Sequence, residues 1–561
     1  MRQSKTERLT GSKDGGGDYF PVRAPRGPHL SCLGWPQEAA LRMLMNSLDE
    51  EVAEQPLELV ACGGTGKVLH DWNSYSEAAR ILKDLGNTQT LLIQSGKPAG
   101  VFETGAEAPR VLIMNNDLAA PASTPVLQPE EKQAHALTCK TGVASWTYVG
   151  AQEALATAFH TLDAICQSHF AQGLAGRLIV SGGMGPAGGA LSLAAGMHGA
   201  AFLGIDIDEE RIKRRIRGGY CDYCVNALDE ALRILKNAVR KKQAVSVGLV
   251  GNCADVIPEL ASRGVVPDIL TDLTSAHDLL KGYVPSGLSG GEAATLRDGN
   301  PDEYLGRVRN SIARHFGGML ALQKLGSVVF EFANGIRAAA SESKTSEDGR
   351  AVPDFIEAYL QPLLNEGLVP VRWIALSGEA EDIRHLDELA LELFPDDKRL
   401  ARWISLARKY VRFQGLPARV LWMREQARTE FALRLNDLVA DGSIKAPVVV
   451  ALDYKAPGAF PPDEAQLEIP KDGGAGGIGH QALNAILKAA TGTGWVSIQG
   501  AGDGKLATIA IIADGRPATA DAISLALKSD FLPRIIIRNA GPSGGSGPSQ
   551  CLKPRKAVDA A

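Results

Sequence analysis

The sequence contains no long hydrophobic run and no dense set of cysteines. No apolar stretch among its 561 residues approaches the roughly 18 uninterrupted residues of a membrane-spanning helix, and the N-terminus has no apolar signal core. The 8 cysteines are too dispersed for a disulfide framework. Cys221 and Cys224 form one CxxC, but no second pair or His cluster follows at zinc-finger spacing, which favours a structural role. We therefore expect a cytoplasmic protein with reduced thiols and no membrane partner.

The charge pattern also lacks a strong excess of either sign. The net charge is -5, with acidic and basic residues interspersed along the chain. The most basic run, Arg211 to Arg217, contains Ile212 and Ile216 at helical spacing, which predicts a helix with a solvated basic face. We therefore expect a small-molecule substrate and no nucleic-acid partner.

The length and the apolar pattern predict more than one domain. From about 145 to 348, short apolar runs alternate with helical segments, which is typical of βαβ units around a parallel sheet. Residues 21–144 and 349–540 mix strands and helices, so we expect one α/β core body with the middle domain inserted into it. Residues 1–20 and 541–561 are polar or rich in Gly, Ser and Pro, and we expect both to be disordered.

A first glycine cluster, "LVACGGTGKV" at residues 59–68, resembles the phosphate loop of ATPases. That motif would require Gly at the position of Ala61 and Ser or Thr at the position of Val68. Without that hydroxyl the loop offers no magnesium ligand, so the sequence does not favour an ATPase.

A second glycine cluster follows a strand predicted at Leu178 to Val180. It reads G-x-G-x-x-G over Gly183 to Gly188, and a helix of small residues comes next. The next predicted strand ends in Asp206, 18 residues beyond Gly188, where a carboxylate could accept ribose hydroxyls. Glycines allow the backbone to approach a pyrophosphate, and the helix N-terminus attracts it. The pattern predicts NAD rather than NADP, while a glycine turn without a ligand is the alternative.

Several other segments resemble one enzyme family. They are "LLIQSGKPAGVFETGAEAPRVLIMNNDL" (91–118), "TDLTSAHDLLKGYVPSG" (271–287), "VRWIALSGEAEDI" (371–383), "RFQGLPARVLW" (412–422) and "ALNAILKAATGTGWVSI" (482–498). Together they resemble urocanase, the urocanate hydratase of histidine breakdown, from residue 23 to about residue 537. The resemblance implies a Rossmann-type NAD-binding domain inserted in a mixed α/β core body, and a homodimer. It also assigns Gly63 and Gly64 to the nicotinamide end of NAD.

The resemblance implies chemistry without net redox change. In urocanases the imidazole ring attacks the nicotinamide of tightly bound NAD+, the conjugated acrylate is polarised, water adds, and NAD+ is released unchanged. Arg372 matches the arginine that binds the substrate carboxylate, and Asp453 matches the acid that shuttles protons. An ordinary salt bridge at Arg372 and a hairpin Asp at 453 are the alternatives. With the Rossmann residues included, the predicted cofactor positions are Gly63, Gly64, Lys140, Gly183, Gly185, Pro186, Ala187, Gly188, Asp206, Arg211, Asn252, Cys253, Leu273, Thr274, Ser275, Ala276, His277, Tyr283, Val284, Phe332 and Asp503.

The chain departs from the family at several of these positions. The family's active-site cysteine is Leu421 here, and the tyrosine before the paired glycines is Cys62. Further replacements occur at Lys140, Asp206, Leu273, Phe332 and Asp503. A retained cofactor framework with altered pocket positions favours an altered substrate, so we expect Cys62 and Leu421 to adjoin a sulfur-substituted urocanate. Urocanate itself is the alternative substrate. An NAD-dependent oxidoreductase and a non-catalytic NAD-binding protein are the alternatives from other functional classes.

Overall fold

The structure is a computed structural model that describes residues 21–62, 66–115, 143–332, 334–341, 351–455, 485–499 and 506–528. Two large sheets carry the architecture, and a two-stranded hairpin is added by β1 (Val60–Cys62) and β2 (Gly66–Lys67). The helices that surround these sheets are α1 Trp35–Asn46, α2 Trp72–Asp84, α3 Gln152–His169, α4 Pro186–Met197, α5 Glu209–Arg217, α6 Leu228–Lys241, α7 Cys253–Ser262, α8 Gly290–Gly299, α9 Pro301–Lys324, α10 Ile336–Ser341, α11 Gln361–Asn365, α12 Ala380–Leu393, α13 Lys398–Tyr410, α14 Glu425–Ala440 and α15 Pro517–Lys528.

The larger sheet is built from both ends of the chain. Its strands are β3 Gln89–Gln94, β4 Lys97–Glu103, β5 Val111–Asn115, β12 Val369–Ala375, β13 Ala418–Met423, β14 Val448–Lys455, β15 Trp495–Gln499 and β16 Leu506–Ala513. Their order is β13-β12-β14-β16-β15-β5-β3-β4, with parallel pairs only at β15·β5 and β3·β5. Strands that precede and follow the middle domain therefore share one sheet, which confirms the predicted insertion.

The smaller sheet belongs to the inserted domain and is entirely parallel. Its strands are β6 Leu178–Gly182, β7 Ala201–Asp206, β8 Tyr223–Val225, β9 Ser246–Val250, β10 Ile269–Asp272 and β11 Val328–Val329. Their order, β11-β10-β6-β7-β9-β8, starts at β6 and continues outward first on one side and then on the other. This order confirms the Rossmann-like fold. The chain adds strands on one side of β6 and then on the other, so the strand order changes sides between β6 and β10. Ligands of such sheets bind at this switch point.

The cores of the two bodies are connected. Every residue of β7 is buried, as expected for a parallel strand with helices on both faces. One side of the small sheet belongs to the same apolar cluster as the large sheet, while the other side packs against α7 and α9 in a cluster of its own. Helix α3 packs against α4 of the inserted domain and also contacts β12 and β13 of the large sheet. In the described parts of the chain, no helix has the length and apolarity needed to cross a bilayer.

Two short strands of the small sheet, β8 and β11, were not predicted. The edge strand β8 is only three residues long, and a run of that length carries no periodic signal. It contains Cys224, and the Cys221 thiol donates to the Tyr223 carbonyl oxygen across 3.4 Å. Burial raises the pKa of Cys221 to about 11, so this thiol is protonated at neutral pH.

Candidate functional site

The loop between β6 and α4 has one open glycine between two crowded ones. Gly183 has a φ of +79°, and a Cβ there would lie 2.4 Å from the Leu273 carbonyl oxygen. A Cβ on Gly188 would lie 1.9 Å from the Gly183 carbonyl oxygen. A Cβ on Gly185, in contrast, would meet no heavy atom within 4 Å. The outer glycines shape the turn, and the central glycine leaves open space above it.

Helix α4 begins at the open side of this loop. Its N-cap is Gly185, no side chain caps its first N–H groups, and Pro186 occupies the first turn. Uncapped N–H groups and the helix dipole together attract anions. The loop therefore offers a site for a phosphate or a pyrophosphate.

Asp206 ends β7 beside the loop, as the sequence predicts, and it already has partners. Its Oδ2 accepts a hydrogen bond of 2.7 Å from the Met184 N–H, and both carboxylate oxygens lie 3.0–3.1 Å from Arg211 Nη1. Burial opposes the charge on Arg211, but Asp206 outweighs burial and raises the pKa of Arg211. The Asp208 N–H also donates to Asp206 Oδ1 at 3.0 Å, so a ribose hydroxyl at Asp206 would share the carboxylate with three donor residues.

A cavity of about 550 Å³ lies above the loop at the carboxyl ends of the parallel strands. It also receives Glu54, Gln55 and Cys62 from the core body, so both bodies contribute to its wall. The predicted positions that line it are Cys62, Gly183, Gly185, Pro186, Ala187, Gly188, Asp206, Arg211, Asn252, Cys253, Leu273, Thr274, Ser275, His277, Tyr283 and Val284.

Two predicted cofactor positions do not line this cavity. Ala276 is 1% exposed in the second apolar cluster. Phe332 stacks on Phe355, with ring centroids 4.3 Å apart and planes 11° apart, in the cluster shared with the core body. Both side chains belong to the apolar cores instead.

The interpretation of residues 211–217 as a solvated basic face holds only in part, because Arg211 and Arg217 are exposed whereas Arg215 is buried. Helix α5 carries Arg211, Arg214, Arg215 and Arg217 to the cavity. Arg214 donates to the Ala53 and Glu54 carbonyl oxygens across 2.6 and 3.0 Å, and Arg215 is only 5% exposed. Burial lowers the pKa of Arg215 despite the nearby Glu54. The isoleucine spacing predicted the helix but could not show that its polar face meets another domain.

Several predicted residues also hold the cavity floor together. Asn252 caps α7 by accepting the Ala254 N–H at 2.9 Å, and it donates to the Val284 carbonyl oxygen at 3.0 Å. Thr274 Oγ1 donates to Asp272 Oδ2 at 2.6 Å, and the Asn334 amide binds the same oxygen. Neither Asp272 nor Asn334 was predicted, because their importance depends on the convergence of strand ends.

The two predicted catalytic residues, Arg372 and Asp453, bind each other. Arg372 Nη1 and Nη2 donate to Asp453 Oδ2 and Oδ1 across 2.8 and 2.6 Å, and Nη1 also donates to Glu153 Oε2 across 2.5 Å. Thr508 Oγ1 donates to Asp453 Oδ1 at 2.8 Å. Neighbouring strands β12, β14 and β16 carry three of these residues, while Glu153 lies in the first turn of α3.

This cluster is buried and carries more negative than positive charge. The side chains of Arg372 and Asp453 are each 3% exposed, so the predicted arginine is not in a surface salt bridge. Burial alone would lower the pKa of Arg372, but Asp453 and then Glu153 outweigh it and raise the pKa. Arg372 Nε has no hydrogen-bond partner within the described structure. One unused donor therefore remains on an arginine that holds two carboxylates.

Three family models match successive parts of the chain. The urocanase N-terminal domain matches residues 22–138, the urocanase Rossmann-like domain residues 150–359, and the urocanase C-terminal domain residues 362–544. The chain belongs to the urocanase family. Members of this family are hydro-lyases of the urocanate hydratase type.

The position of the usual urocanase cysteine lies apart from the Arg372 cluster. Arg372 is registered with Val420 and Ala451, whereas Leu421 is registered with Val371. Directly opposite residues of paired strands point to the same face, so Leu421 points away from the Arg372 face. Leu421 is 1% exposed. The structure therefore brings Leu421 neither to Arg372, the predicted carboxylate-binding residue, nor to the cavity.

Gly63, Gly64, Lys140 and Asp503 lie outside the described residues, as do both predicted disordered ends, 1–20 and 541–561.

Proposed function

We propose that this chain is a urocanase-type hydratase that uses bound NAD+ to add water to an imidazole-acrylate. The observation that carries the proposal is the cavity at the switch point, where the Gly183–Gly188 loop, Asp206 and Cys62 of the core body meet. The decisive measurement is hydration of an imidazole-acrylate by protein that retains NAD+ through dialysis. Reduction of the bound NAD+ during turnover would instead favour an oxidoreductase, and an inert NAD complex would favour a non-catalytic relative.

The residues of the cavity fit a dinucleotide. Space above Gly185 and the uncapped start of α4 suit a pyrophosphate, and Asp206 suits the hydroxyls of a ribose. When bound, NAD+ would supply an electron-poor nicotinamide ring that activates the substrate without net hydride transfer. The chain's own task is to hold both ring systems together and to exclude bulk water.

Asp453 is the proposed proton carrier. It lies at the end of the buried run of β14, and its carboxylate is held in a fixed orientation by Arg372 and Thr508. A carboxyl group held in this way can donate a proton to one defined atom of the substrate. It can take a proton back from the water molecule that adds to the substrate. We assign Arg372 to the substrate carboxylate, since its Nη1 and Nη2 already donate to Asp453 and its Nε–H has no partner among the described residues and is available as a donor.

The charge balance of the cluster links these two roles. Arg372 already faces Asp453 and Glu153, so the carboxylate of a substrate would be a third negative charge beside one positive charge. Like charges at this separation favour protonation of one member. Substrate binding would therefore favour a proton on one of the two acids, which is the state that a proton donor needs.

We propose a sulfur-substituted urocanate, either S-methyl-thiourocanate or thiourocanate, as the preferred substrate. Cys62 replaces a family tyrosine and lines the cavity, so it provides volume and a weakly polar wall. Leu421 adds no support because it points away from the Arg372 face. A matching apolar pocket contributes about 1–3 kcal/mol of discrimination, or roughly ten- to two-hundredfold in kcat/KM.

A side-by-side assay of urocanate, thiourocanate and S-methyl-thiourocanate tests this choice by the loss of acrylate absorbance. We expect one of the sulfur compounds to have the highest kcat/KM, and Cys62→Tyr to shift the preference toward urocanate. If urocanate is the best substrate of the parent protein, the chain is an ordinary urocanate hydratase and the Cys62 argument fails.

We also propose that the protein is a cytoplasmic homodimer, as the resemblance to urocanase implies. Light scattering coupled to gel filtration would test the dimer, and a single-chain mass would exclude it.

A further inference from the structure

Three side chains that can bind a metal meet beneath the cavity floor. Cys253 begins α7, Asp272 ends β10, and His315 lies within α9. All three are buried, and their ligand atoms lie within 4.8 Å of one another. Asp272 and His315 have no part in the hydration proposed above.

The backbone of β6 allows this convergence. Gly182 ends β6, and a Cβ at that position would lie 2.1 Å from Asp272 Oδ1 and 2.8 Å from Cys253 Sγ. Any other residue would therefore push the carboxylate and the thiol apart. The missing side chain leaves both groups facing one another across the same small space.

His315 supplies an unsatisfied nitrogen to that space. Its side chain is fully buried, Nδ1 lies 3.2 Å from the Tyr283 hydroxyl, and Nε2 has no hydrogen-bond partner. Nε2 lies 3.8 Å from Asp272 Oδ1, which is too far for a hydrogen bond. When Nδ1–H donates to Tyr283, the Nε2 lone pair faces a carboxylate oxygen. In that tautomer two acceptors face each other in a buried site, and a cation between them would satisfy both.

We propose that Cys253 Sγ, Asp272 Oδ1 and His315 Nε2 bind a zinc ion. Mixed sulfur, nitrogen and oxygen ligands suit Zn²⁺, whereas magnesium and calcium prefer oxygen alone. Ligand atoms around a tetrahedral zinc lie roughly 3.3–3.8 Å apart, so small side-chain rotations would complete the site. A zinc–sulfur bond replaces the Cys253 S–H bond, the sulfur keeps the electron pair, and the proton leaves to solvent.

The surroundings match those of known zinc sites in two respects. A metal-binding histidine usually donates its second ring N–H to a neighbour, and Tyr283 is placed to accept it. Cys253 is the one member of the three that lines the cavity, so the ion would enter from there and keep its fourth position toward the cavity. The inference rests on these contacts and not on the hydratase activity.

Metal content and Co²⁺ spectra test the proposal on the purified full-length protein. After incubation with Zn²⁺ and desalting, we expect the parent protein to retain one equivalent more than Cys253→Ser or His315→Gln. With Co²⁺, the parent should show a thiolate charge-transfer absorption that Cys253→Ser lacks. Tyr283→Phe should weaken Zn²⁺ binding by about 10- to 100-fold, the usual effect of losing such a supporting group.

Cys221→Ser is the matched control because Cys221 is also a buried thiol of the inserted domain, and it belongs to the CxxC. It should leave the metal content and the Co²⁺ spectrum unchanged. The proposal is overturned if Cys221→Ser abolishes binding while Cys253→Ser does not. A parent protein without the Co²⁺ thiolate absorption overturns it as well, and that result needs no variant to fold.

Discussion

Gly185 is the residue at which the proposed cofactor site can be blocked with the least disturbance. The open space above Gly185 allows a valine there without a clash, but the side chain would fill the volume proposed for the pyrophosphate. We expect Gly185→Val to fold, with a slightly lower melting temperature because valine is a poorer N-cap than glycine, and to be purified without NAD. The NAD content of acid extracts measures this.

Gly196→Val is the matched control for that substitution. Gly196 lies near the end of the same helix, α4, and a Cβ there also meets no heavy atom within 4 Å. It should slightly raise helix propensity, because valine is a better helix former than glycine, and it should leave the NAD content unchanged. Full NAD occupancy in Gly185→Val would remove the cofactor assignment from this loop.

Asp453 and Glu153 provide a comparison between two acids that bind one arginine. Asp453→Asn should keep NAD bound and lower kcat by about a hundredfold or more, the usual loss for a missing general acid or base. Glu153→Gln removes a similar charge from Arg372 and should lower kcat much less, because we assign no proton transfer to Glu153. Equal losses in the two variants would show that the effect is electrostatic and not specific to Asp453.

Arg372→Lys tests the substrate clamp. A lysine keeps one positive charge but cannot hold two oxygens in a fork, so we expect KM to rise more than kcat falls. Breaking a buried pair can also cost about 3–5 kcal/mol of stability, so melting temperatures must accompany the kinetics. A normal KM for the preferred substrate would exclude the clamp.

At this scale the sequence predicts residues whose role is local. Gly183 and Gly188 follow from a turn motif, and Asp206 from its distance to that motif. Asp272 and His315 carry no such signal, because only the packing of α9 beside the strand ends brings them to Cys253. The prediction that Leu421 adjoins the substrate was wrong for a related reason. The face of the sheet to which Leu421 points depends on strand register, and its sequence motif does not determine that register.

At the scale of elements, the connection after β11 contains a buried acid that makes stability depend on pH. The backbone of Glu331 pairs with the backbone of Asp354 in an isolated parallel β-bridge. Burial, and then the Asp354 carboxylate, raises the pKa of Glu331 from its ordinary 4.5 to about 7, although Arg337 opposes the shift. Between these two values the unfolded chain releases the proton that the folded protein keeps. Glu331 therefore stabilises the fold below pH 4.5, and this contribution is lost as the pH rises to about 7.

Glu331→Gln should remove that dependence. We expect the free energy of unfolding of the variant, relative to the parent, to increase by up to about 3 kcal/mol between pH 5 and pH 8. Urea titrations at several pH values measure the difference. Glu392→Gln is the control, since Glu392 is an exposed glutamate of α12, and its difference from the parent should stay constant. A constant difference for Glu331→Gln would contradict the raised pKa.

Elements with a strong repeating pattern were predictable, and those defined by their neighbours were not. The four predicted strands of the inserted domain appear as β6, β7, β9 and β10, because each is an apolar run bounded by glycine or a charge. Helix α5 was predicted as an element, but the burial of Arg215 and the contacts of Arg214 with the core body were not. A polar helix face has the same sequence whether it meets water or the arginine-lined wall of a cavity.

At the scale of the whole molecule, the continuous apolar cluster predicts that both bodies unfold together. All 7 tryptophans lie outside residues 150–359, so tryptophan fluorescence reports chiefly on the core body, although Trp403 and Trp422 also contact α3. Cys221 and Cys253 are buried in the inserted domain, and peptide mass spectrometry can follow their alkylation separately. We expect both signals to change at the same denaturant concentration. Alkylation well below the fluorescence midpoint would show that the inserted domain opens first.

The pairing of β5 with β15 also sets an order of events on the ribosome. Val111 is registered with Trp495, so one edge of β5 remains uncovered until nearly the whole chain has been made. At about 5–20 residues per second, synthesis of the intervening chain takes on the order of tens of seconds. The inserted domain can assemble during this time, while β3 to β5 present an open strand edge that invites association with other chains. A chain that stops before Trp495 would therefore keep a complete parallel sheet and an unsealed mixed one, and we expect it to aggregate rather than persist as a shorter protein.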